Sequence, residues 1–177
     1  AHSERDYQVT KLLALNEGIS MDEDVLFAAS FLHDLGWLPG FEKECIDHAE
    51  RSVEITEPLL SAWGFPMKKW PAVKEMILGH TYYSKKPESK SALAFRDADV
   101  LDFLGYIGAA RILSVTEEKG FADGTLKPTV STLKEFLTAM AQNCSLPACQ
   151  KIAHSRRTEL ELFLSGLENE TFVGQAL

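Results

Sequence analysis

The chain has 177 residues, of which 45% are hydrophobic and 25% are charged, a composition typical of a globular protein with a buried core. This length suits one domain and is short for two, so we expect a single domain over residues 1–177. The net charge of -8 argues against a broad nucleic-acid-binding face. We find no apolar run long enough to span a bilayer and no signal-peptide pattern, so we expect no membrane partner.

The three cysteines are Cys45, Cys144 and Cys149. Their odd number, and the absence of a CxxC pair, do not indicate a disulfide framework or a zinc knuckle. We therefore predict free, reduced and partly buried thiols, and a cytoplasmic location fits this prediction.

Apolar residues recur at helical spacing along most of the chain, and no segment shows the sustained alternation of a strand. The first helix is predicted over residues 2–17, with Gly18 placed to end it. Ser20 and Glu23 form a capping-box pattern that predicts the start of a second helix, which continues to about Leu35. Later helices are predicted over 45–63, from Pro71 to His80, and over 91–118, 132–140 and 147–167. The predicted fold is all-α, with six to eight helices around one core.

A histidine and an aspartate stand side by side where the second helix is predicted to end, at His33 and Asp34. Both are metal-ligand side chains, and both are costly to bury without a partner. His80 shares the apolar face of its helix, which directs it to the core or to a cleft. Asp99 stands in an apolar helix, where a carboxylate requires an ion pair or a metal. A mixed set of imidazoles and carboxylates suits a divalent first-row ion.

Four segments resemble the HD-domain metal-dependent phosphohydrolase superfamily. His2 to Arg5, HSER, resembles the family's opening H-S-x-R, and Ala28 to Gly36, AASFLHDLG, resembles A-A-x-L-H-D-I-G. Val73 to His80, VKEMILGH, is similar to the V-x-x-x-I-x-x-H helix of one bacterial branch. Arg96 to Arg111, RDADVLDFLGYIGAAR, closely resembles that branch's Q-D-A-D-R-L-D-A-L-G-A-I-G-I-A-R and is the most specific match.

The resemblance implies a set of metal ligands and a reaction. The implied ligands of a divalent ion (Mn, Mg, Fe, Co, Ni or Zn) are His2, His33, Asp34 and Asp99. The residues implied for a second metal or for the substrate phosphate are His48 and His80, joined by the cations Arg5 and Lys85. Asp34 and His80 are the implied catalytic residues. The implied reaction is hydrolysis of a phosphate ester or anhydride of a small molecule, often a nucleotide, by an activated water. A homodimer is compatible with the sequence.

Each of these residues also has an ordinary structural interpretation. His80 could be a hydrogen-bonded core histidine, His48 a surface histidine and Asp99 a partner in a structural ion pair. Arg5 and Lys85 could be solvated charges. These alternatives stay open at this point.

The sequence departs from the family pattern at two positions beside Asp99. Val100 stands where the bacterial branch usually has Arg, which removes a cation. Arg96 stands where it usually has Gln, which adds a cation on another face of the helix. Two other functions also remain open: a di-iron oxygenase that needs both His48 and His80 as ligands, and a non-catalytic nucleotide-binding regulatory module.

Overall fold

The computed structural model describes residues 1–118 and 126–171, and the described residues form helices and no strand. The helices are α1 (His2–Glu17), α2 (Glu23–Leu32), α3 (His48–Ala62), α4 (Trp70–Gly79), α5 (Lys90–Leu101), α6 (Gly105–Glu118), α7 (Lys127–Asn143) and α8 (Pro147–Glu170). The predicted all-α fold is confirmed. Within the described ranges, no helix combines the length and the apolarity that crossing a membrane requires.

The chain divides into two compact units, Ala1–Asp99 and Val100–Leu177. The prediction of one domain over the whole chain stays a prediction. In the first unit, α2 packs against α1 and α4, and α3 packs against α4 and a short 3-10 turn at Leu35–Trp37. The buried core of this unit includes Leu26, Ala29, Val73, Met76, Ile77 and Phe95. Burial of such side chains contributes about 2 kcal/mol each.

In the second unit, α6, α7 and α8 pack against one another. Their buried anchors include Leu133, Met140, Leu160 and Leu164. The two anchors on α7 are seven residues apart and the two on α8 are four residues apart, a spacing that places each pair on one face of its helix.

Several predicted helix boundaries are wrong. Helix α2 ends at Leu32 and not near Leu35, and α7 spans Lys127–Asn143 and not 132–140. Asp22, and not Ser20, caps α2, because its carboxylate accepts hydrogen bonds from the backbone N–H groups of Asp24 and Val25. The stretch 91–118 is two helices, because Gly105 has φ 70°, a left-handed conformation that glycine adopts at little cost. The carbonyl of Leu101, at the end of α5, accepts a hydrogen bond of 2.6 Å from Arg156.

The prediction of three free thiols is wrong for two of them. Cys144 and Cys149 form a disulfide, and only Cys45 is a free and exposed thiol. Cys144 follows the last residue of α7, and Cys149 lies in the first turn of α8. The short connection between these helices brings the two Cα atoms to 5.6 Å, a normal separation for a disulfide. A turn of this kind is not visible in the spacing of the cysteines alone.

Candidate metal centre

His33 lies at the end of α2, and one nitrogen of its ring is hydrogen-bonded to the backbone of that helix. Its Nδ1 donates to the carbonyl of Ser30 over 3.0 Å, and this bond fixes which nitrogen, Nε2, faces away from the helix. Asp34 follows at the start of the 3-10 turn. Gly36 lies so close to α3 that an added Cβ would be 2.3 Å from the carbonyl oxygen of His48. A glycine therefore allows this turn to bring Asp34 close to the start of α3.

His80 is held in the same way at the end of α4. Its Nδ1 donates to the carbonyl of Ile77 over 2.6 Å, so that Nε2 points away from the helix. The buried guanidinium of Arg96 stabilises the connection between α4 and α5. It donates hydrogen bonds to the carbonyls of Gly79, Tyr82 and Ser84. The hydrogen bonds of Arg96 are therefore used to hold this connection.

Four predicted ligands meet around the Nε2 atom of His2, and we call them the first cluster: His2, His33, Asp34 and Asp99. His2 Nε2 lies 3.3 Å from His33 Nε2 and 3.4 Å from both Asp34 Oδ2 and Asp99 Oδ1. His33 Nε2 lies 3.3 Å from Asp34 Oδ2. His33 and Asp99 are buried, and His2 is mostly buried at the first position of α1. The ligand role of these residues stays a prediction.

The other oxygen of Asp34 faces a second pair of histidines, and we call Asp34, His48 and His80 the second cluster. Asp34 Oδ1 lies 3.6 Å from His48 Nε2 and 3.5 Å from His80 Nε2. The two Nε2 atoms are 3.2 Å apart. The side chain of His48 is only 10% exposed, so it is not a surface histidine. His80 is buried, and it faces an imidazole and a carboxylate. Asp34 thus belongs to both clusters.

Asp6 is a further carboxylate beside the first cluster that the sequence analysis did not single out. It is fully buried on α1, with Oδ2 3.1 Å from His2 Nε2 and 3.7 Å from His33 Nε2. It lies four residues after His2, so both side chains fall on the same face of the helix. The spacing of His2 and Asp6 is visible in the sequence, but the burial of Asp6 is not.

The charges of the clusters shift three pKa values. Burial alone would raise the pKa of Asp34, but the charge of His33 and hydrogen bonds from the surrounding histidines outweigh burial and hold it well below its usual range. Burial would lower the pKa of His80, but Asp34 and Asp99 outweigh burial and raise it above its usual value. Burial and the charge of His80 lower the pKa of His48. A fixed carboxylate charge at Asp34 favours cation binding between the clusters.

Two aromatic side chains flank His48 at the exposed side of the second cluster. The Trp37 ring, which is 60% exposed, lies 4.9 Å from the His48 ring at an interplanar angle of 35°. The hydroxyl of Tyr83 donates to Asp47 over 2.8 Å and lies 3.3 Å from His48 Nδ1. These contacts orient the imidazole from the side opposite Asp34.

The structure does not bring every predicted residue into the clusters. Lys85 is 88% exposed, and its Nζ lies 3.6 Å from Glu88, so it is at the surface. Arg5 is half-buried on α1, one residue before Asp6. Val100 is fully buried. Phosphate contacts by Arg5 and Lys85 stay predictions.

The donor atoms of the first cluster fit a divalent metal ion. With bonds of about 2.1 Å, neighbouring ligand atoms lie about 3.0 Å apart in octahedral geometry and about 3.4 Å apart in tetrahedral geometry. The separations of 3.3 and 3.4 Å around His2 Nε2 lie in this range. The second cluster, with separations of 3.2 to 3.6 Å, is compatible with another ion that shares Asp34.

Comparison with known proteins identifies the family of this chain. The family model described as HD domain matches residues 1–104, more than half of the chain. An uncharacterized protein from Clostridium beijerinckii is 28% identical over 97 residues, which are 55% of this chain and 59% of that protein. The chain therefore matches only about three fifths of that relative's length.

Two solved structures share the fold. An HD-superfamily hydrolase from Bacillus thuringiensis aligns with a TM-score of 0.68 and 22% identity over 96% of this chain and 84% of that chain. Bacillus subtilis YpgQ in complex with ADP aligns with a TM-score of 0.72 and 20% identity over 96% and 84% of the two chains. The match to the family model, together with the His and Asp side chains that it spans, shows that this chain belongs to the HD domain family.

Proposed function

We propose that this chain is a metal-dependent phosphohydrolase that binds two divalent ions and cleaves a phosphate ester or anhydride of a small molecule, with nucleotides as the favoured class. One observation carries the proposal: the two oxygens of Asp34 face two separate pairs of imidazole nitrogens. A carboxylate shared by two ion positions is a recurring design for phosphate hydrolysis. In this proposal His2, His33, Asp34 and Asp99 hold one ion, and Asp34, His48 and His80 hold the other.

The chain's own residues would orient the reactants. Divalent ions held by these residues would acidify bound water and withdraw negative charge from phosphoryl oxygens. The Asp34 carboxylate, whose pKa lies well below its usual range, would accept a hydrogen bond from the attacking water and so orient it. The buried carbonyl partners of His33 and His80 keep both imidazoles in the tautomer that presents Nε2.

Two observations favour a nucleotide substrate. Trp37 and Tyr83 place exposed aromatic surface beside His48, where a planar base could stack. The structural neighbour YpgQ has been solved in complex with ADP. Contacts of Arg5 and Lys85 with the phosphates, a cytoplasmic location and a homodimer remain part of the proposal. No nucleic-acid partner is expected.

A screen of phosphoesters and nucleotides against Mn²⁺, Mg²⁺, Fe²⁺, Co²⁺, Ni²⁺ and Zn²⁺ tests the proposal. We expect phosphate release with at least one ion, and we expect His33→Ala to abolish it. His154→Ala, on α8 in the second unit, is the matched control and should retain the wild-type rate. Binding of nucleotide without turnover across all six ions would favour the regulatory module instead.

A di-iron oxygenase is the second candidate, because Asp34 Oδ1 faces both His48 and His80, the two extra ligands that this function needs. The same screen separates the two functions when it is repeated without dioxygen. Phosphate release that is independent of dioxygen supports the hydrolase. Product formation that requires iron and dioxygen, without phosphate release, supports the oxygenase.

A further inference from the structure

We propose that Asp6 is an additional protein ligand of the ion held by the first cluster, and that it strengthens Mn²⁺ binding at this position more than Zn²⁺ binding. The inference rests on the proposed function, since both require a metal ion at the first cluster. It adds a ligand that the resemblance to the family does not supply, because the matching H-S-x-R segment ends one residue before Asp6.

Asp6 places a buried carboxylate beside the first cluster. Its side chain is fully buried on α1, close to the buried His33. His2, Asp6, His33 and Asp99 offer ligand atoms that all lie within 4.8 Å of one another, so a single ion could contact all four residues. The Asp6 carboxylate is therefore within reach of an ion bound by the first cluster.

The ring nitrogen of His2 that faces Asp6 distinguishes a metal ligand from a residue that only orients the histidine. A carboxylate that merely orients a metal-binding histidine contacts the nitrogen remote from the metal. His33 and His80 follow this rule, since their Nδ1 atoms contact backbone carbonyls. Asp6 instead lies 3.1 Å from Nε2 of His2, the nitrogen that also faces Asp34 and Asp99. Asp6 therefore lies on the side of the His2 ring that would face an ion.

The distances agree with a ligand role. The separation of 3.1 Å between Asp6 Oδ2 and His2 Nε2 is close to the octahedral edge of about 3.0 Å. The separation of 3.7 Å between Asp6 Oδ2 and His33 Nε2 corresponds to a wider angle at the same ion. Asp6 Oδ2 thus lies at ligand-to-ligand distances from the Nε2 atoms of His2 and His33.

The number and type of ligands predict the metal preference. With Asp6 the first cluster offers three carboxylates and two imidazoles, a five-ligand, oxygen-rich set that suits the octahedral preference of Mn²⁺. Without Asp6 it offers two of each, which suits four-coordinate Zn²⁺. The Asp6 carboxylate should therefore contribute more to Mn²⁺ binding than to Zn²⁺ binding.

The test uses the full chain, stripped of metal with a chelator and titrated calorimetrically with Mn²⁺ and, separately, with Zn²⁺. We expect Asp6→Leu to weaken Mn²⁺ binding at the first cluster by about 10-fold or more and Zn²⁺ binding by less than about 3-fold. The melting temperature of the metal-free variant, measured alongside, reports whether the substitution disturbs the packing of α1. The control Glu4→Gln removes a carboxylate from the exposed side of α1 and should leave both affinities unchanged.

Several results would overturn the inference. One is an unchanged Mn²⁺ affinity in Asp6→Leu. Another is an equal loss of affinity for both ions together with a lower melting temperature of the metal-free variant, because this result would show that Asp6 supports the packing of α1. Asp6→Asn keeps the shape of the side chain and decides the matter if Asp6→Leu does not fold: weaker Mn²⁺ binding supports the inference, and wild-type binding contradicts it. No substrate is present in these titrations, so failure of the proposed hydrolase would appear separately, as metal-loaded protein that releases no phosphate.

Discussion

Tyr83 contacts the His48 imidazole on the side remote from Asp34 and should tune the second cluster. Burial and the Asp47 carboxylate raise the pKa of Tyr83 above its usual value, so the hydroxyl stays protonated at neutral pH and acts as a donor. Removing an outer partner of a metal-binding histidine commonly weakens metal binding by about 10-fold. We therefore expect Tyr83→Phe to weaken binding of the second Mn²⁺ by about that factor in a calorimetric titration.

The matched control for Tyr83→Phe is Tyr106→Phe, which removes the hydroxyl of an exposed tyrosine on α6. It should leave both binding steps unchanged. Equal weakening of both steps by Tyr83→Phe would contradict a role confined to His48.

At the scale of single residues, the sequence identified the side chains that come from recognisable local patterns. His33, Asp34 and Asp99 lie in segments that are apolar on both sides, where a polar residue requires a partner. Asp6 was missed because its burial depends on packing between helices, which the residues around it do not encode. The hydrogen bonds of Arg96 were missed for the same reason, since its backbone carbonyl partners lie 12 to 17 residues away.

At the scale of elements, the connection between α4 and α5 depends on Arg96. Its planar guanidinium donates to three carbonyls, those of Gly79, Tyr82 and Ser84. Arg96→Met leaves these carbonyls without their donor, which we expect to cost about 3 kcal/mol of the free energy of unfolding. Because His80 begins this connection, the bound Mn²⁺ should also fall from two ions per chain to one, measured by elemental analysis after dialysis.

Arg157→Met is the control for Arg96→Met, because Arg157 is exposed and pairs with Glu161 on the same helix. It should cost less than about 0.5 kcal/mol. Retention of two ions by Arg96→Met would show that the connection keeps His80 in place without Arg96.

The start of α5 depends on Glu75, whose carboxylate accepts hydrogen bonds from the backbone N–H groups of Glu88 and Ser89 over 2.9 and 2.8 Å. Burial would raise the pKa of Glu75, but these N–H groups and the Ser89 hydroxyl outweigh burial and lower it. A lowered pKa stabilises the fold above the usual value of 4.5, and this stabilisation is lost as the pH falls through the lowered pKa.

We therefore expect Glu75→Gln to lower the free energy of unfolding by about 1 kcal/mol at pH 7, and the difference from wild type to shrink as the pH falls below the usual value. Denaturant unfolding at a series of pH values measures this difference. Glu88→Gln, which changes an exposed side chain, should show no difference from wild type at any pH in the series. A difference that is constant with pH would mean that the ionised form of Glu75 is not the stabilising one.

The helical periodicity of the sequence predicted the elements better than their ends. Helix α4 begins with Pro71 near its start, as the preference of proline for the first turn indicates. The break between α5 and α6 was missed because apolar residues continue through Leu104, so that the pattern shows no interruption. The left-handed backbone conformation of Gly105 marks the start of the second helix.

At the scale of the whole molecule, the candidate site and the disulfide belong to different compact units. His2, His33, Asp34, His48, His80 and Asp99 lie within Ala1–Asp99, and Cys144 and Cys149 lie within Val100–Leu177. The all-α class was predictable because helical periodicity recurs along the whole sequence. The division at residue 99 was not, because it falls inside α5, where the sequence has no linker.

The disulfide should stabilise the second unit without affecting the site. Cross-linking two cysteines five positions apart removes conformational entropy from the unfolded chain, worth about 2 kcal/mol. We expect the Cys144→Ser, Cys149→Ser double variant to unfold at lower denaturant concentration by about this free energy, followed by circular dichroism. Its Mn²⁺ stoichiometry should equal that of the wild type, because the double variant leaves all ligand candidates in place.

Cys45→Ser removes the exposed free thiol and serves as the control, with unchanged stability. Loss of bound Mn²⁺ in the double variant would show that metal binding depends on the second unit, and equal stability of the reduced and oxidised wild type would contradict a stabilising role of the disulfide.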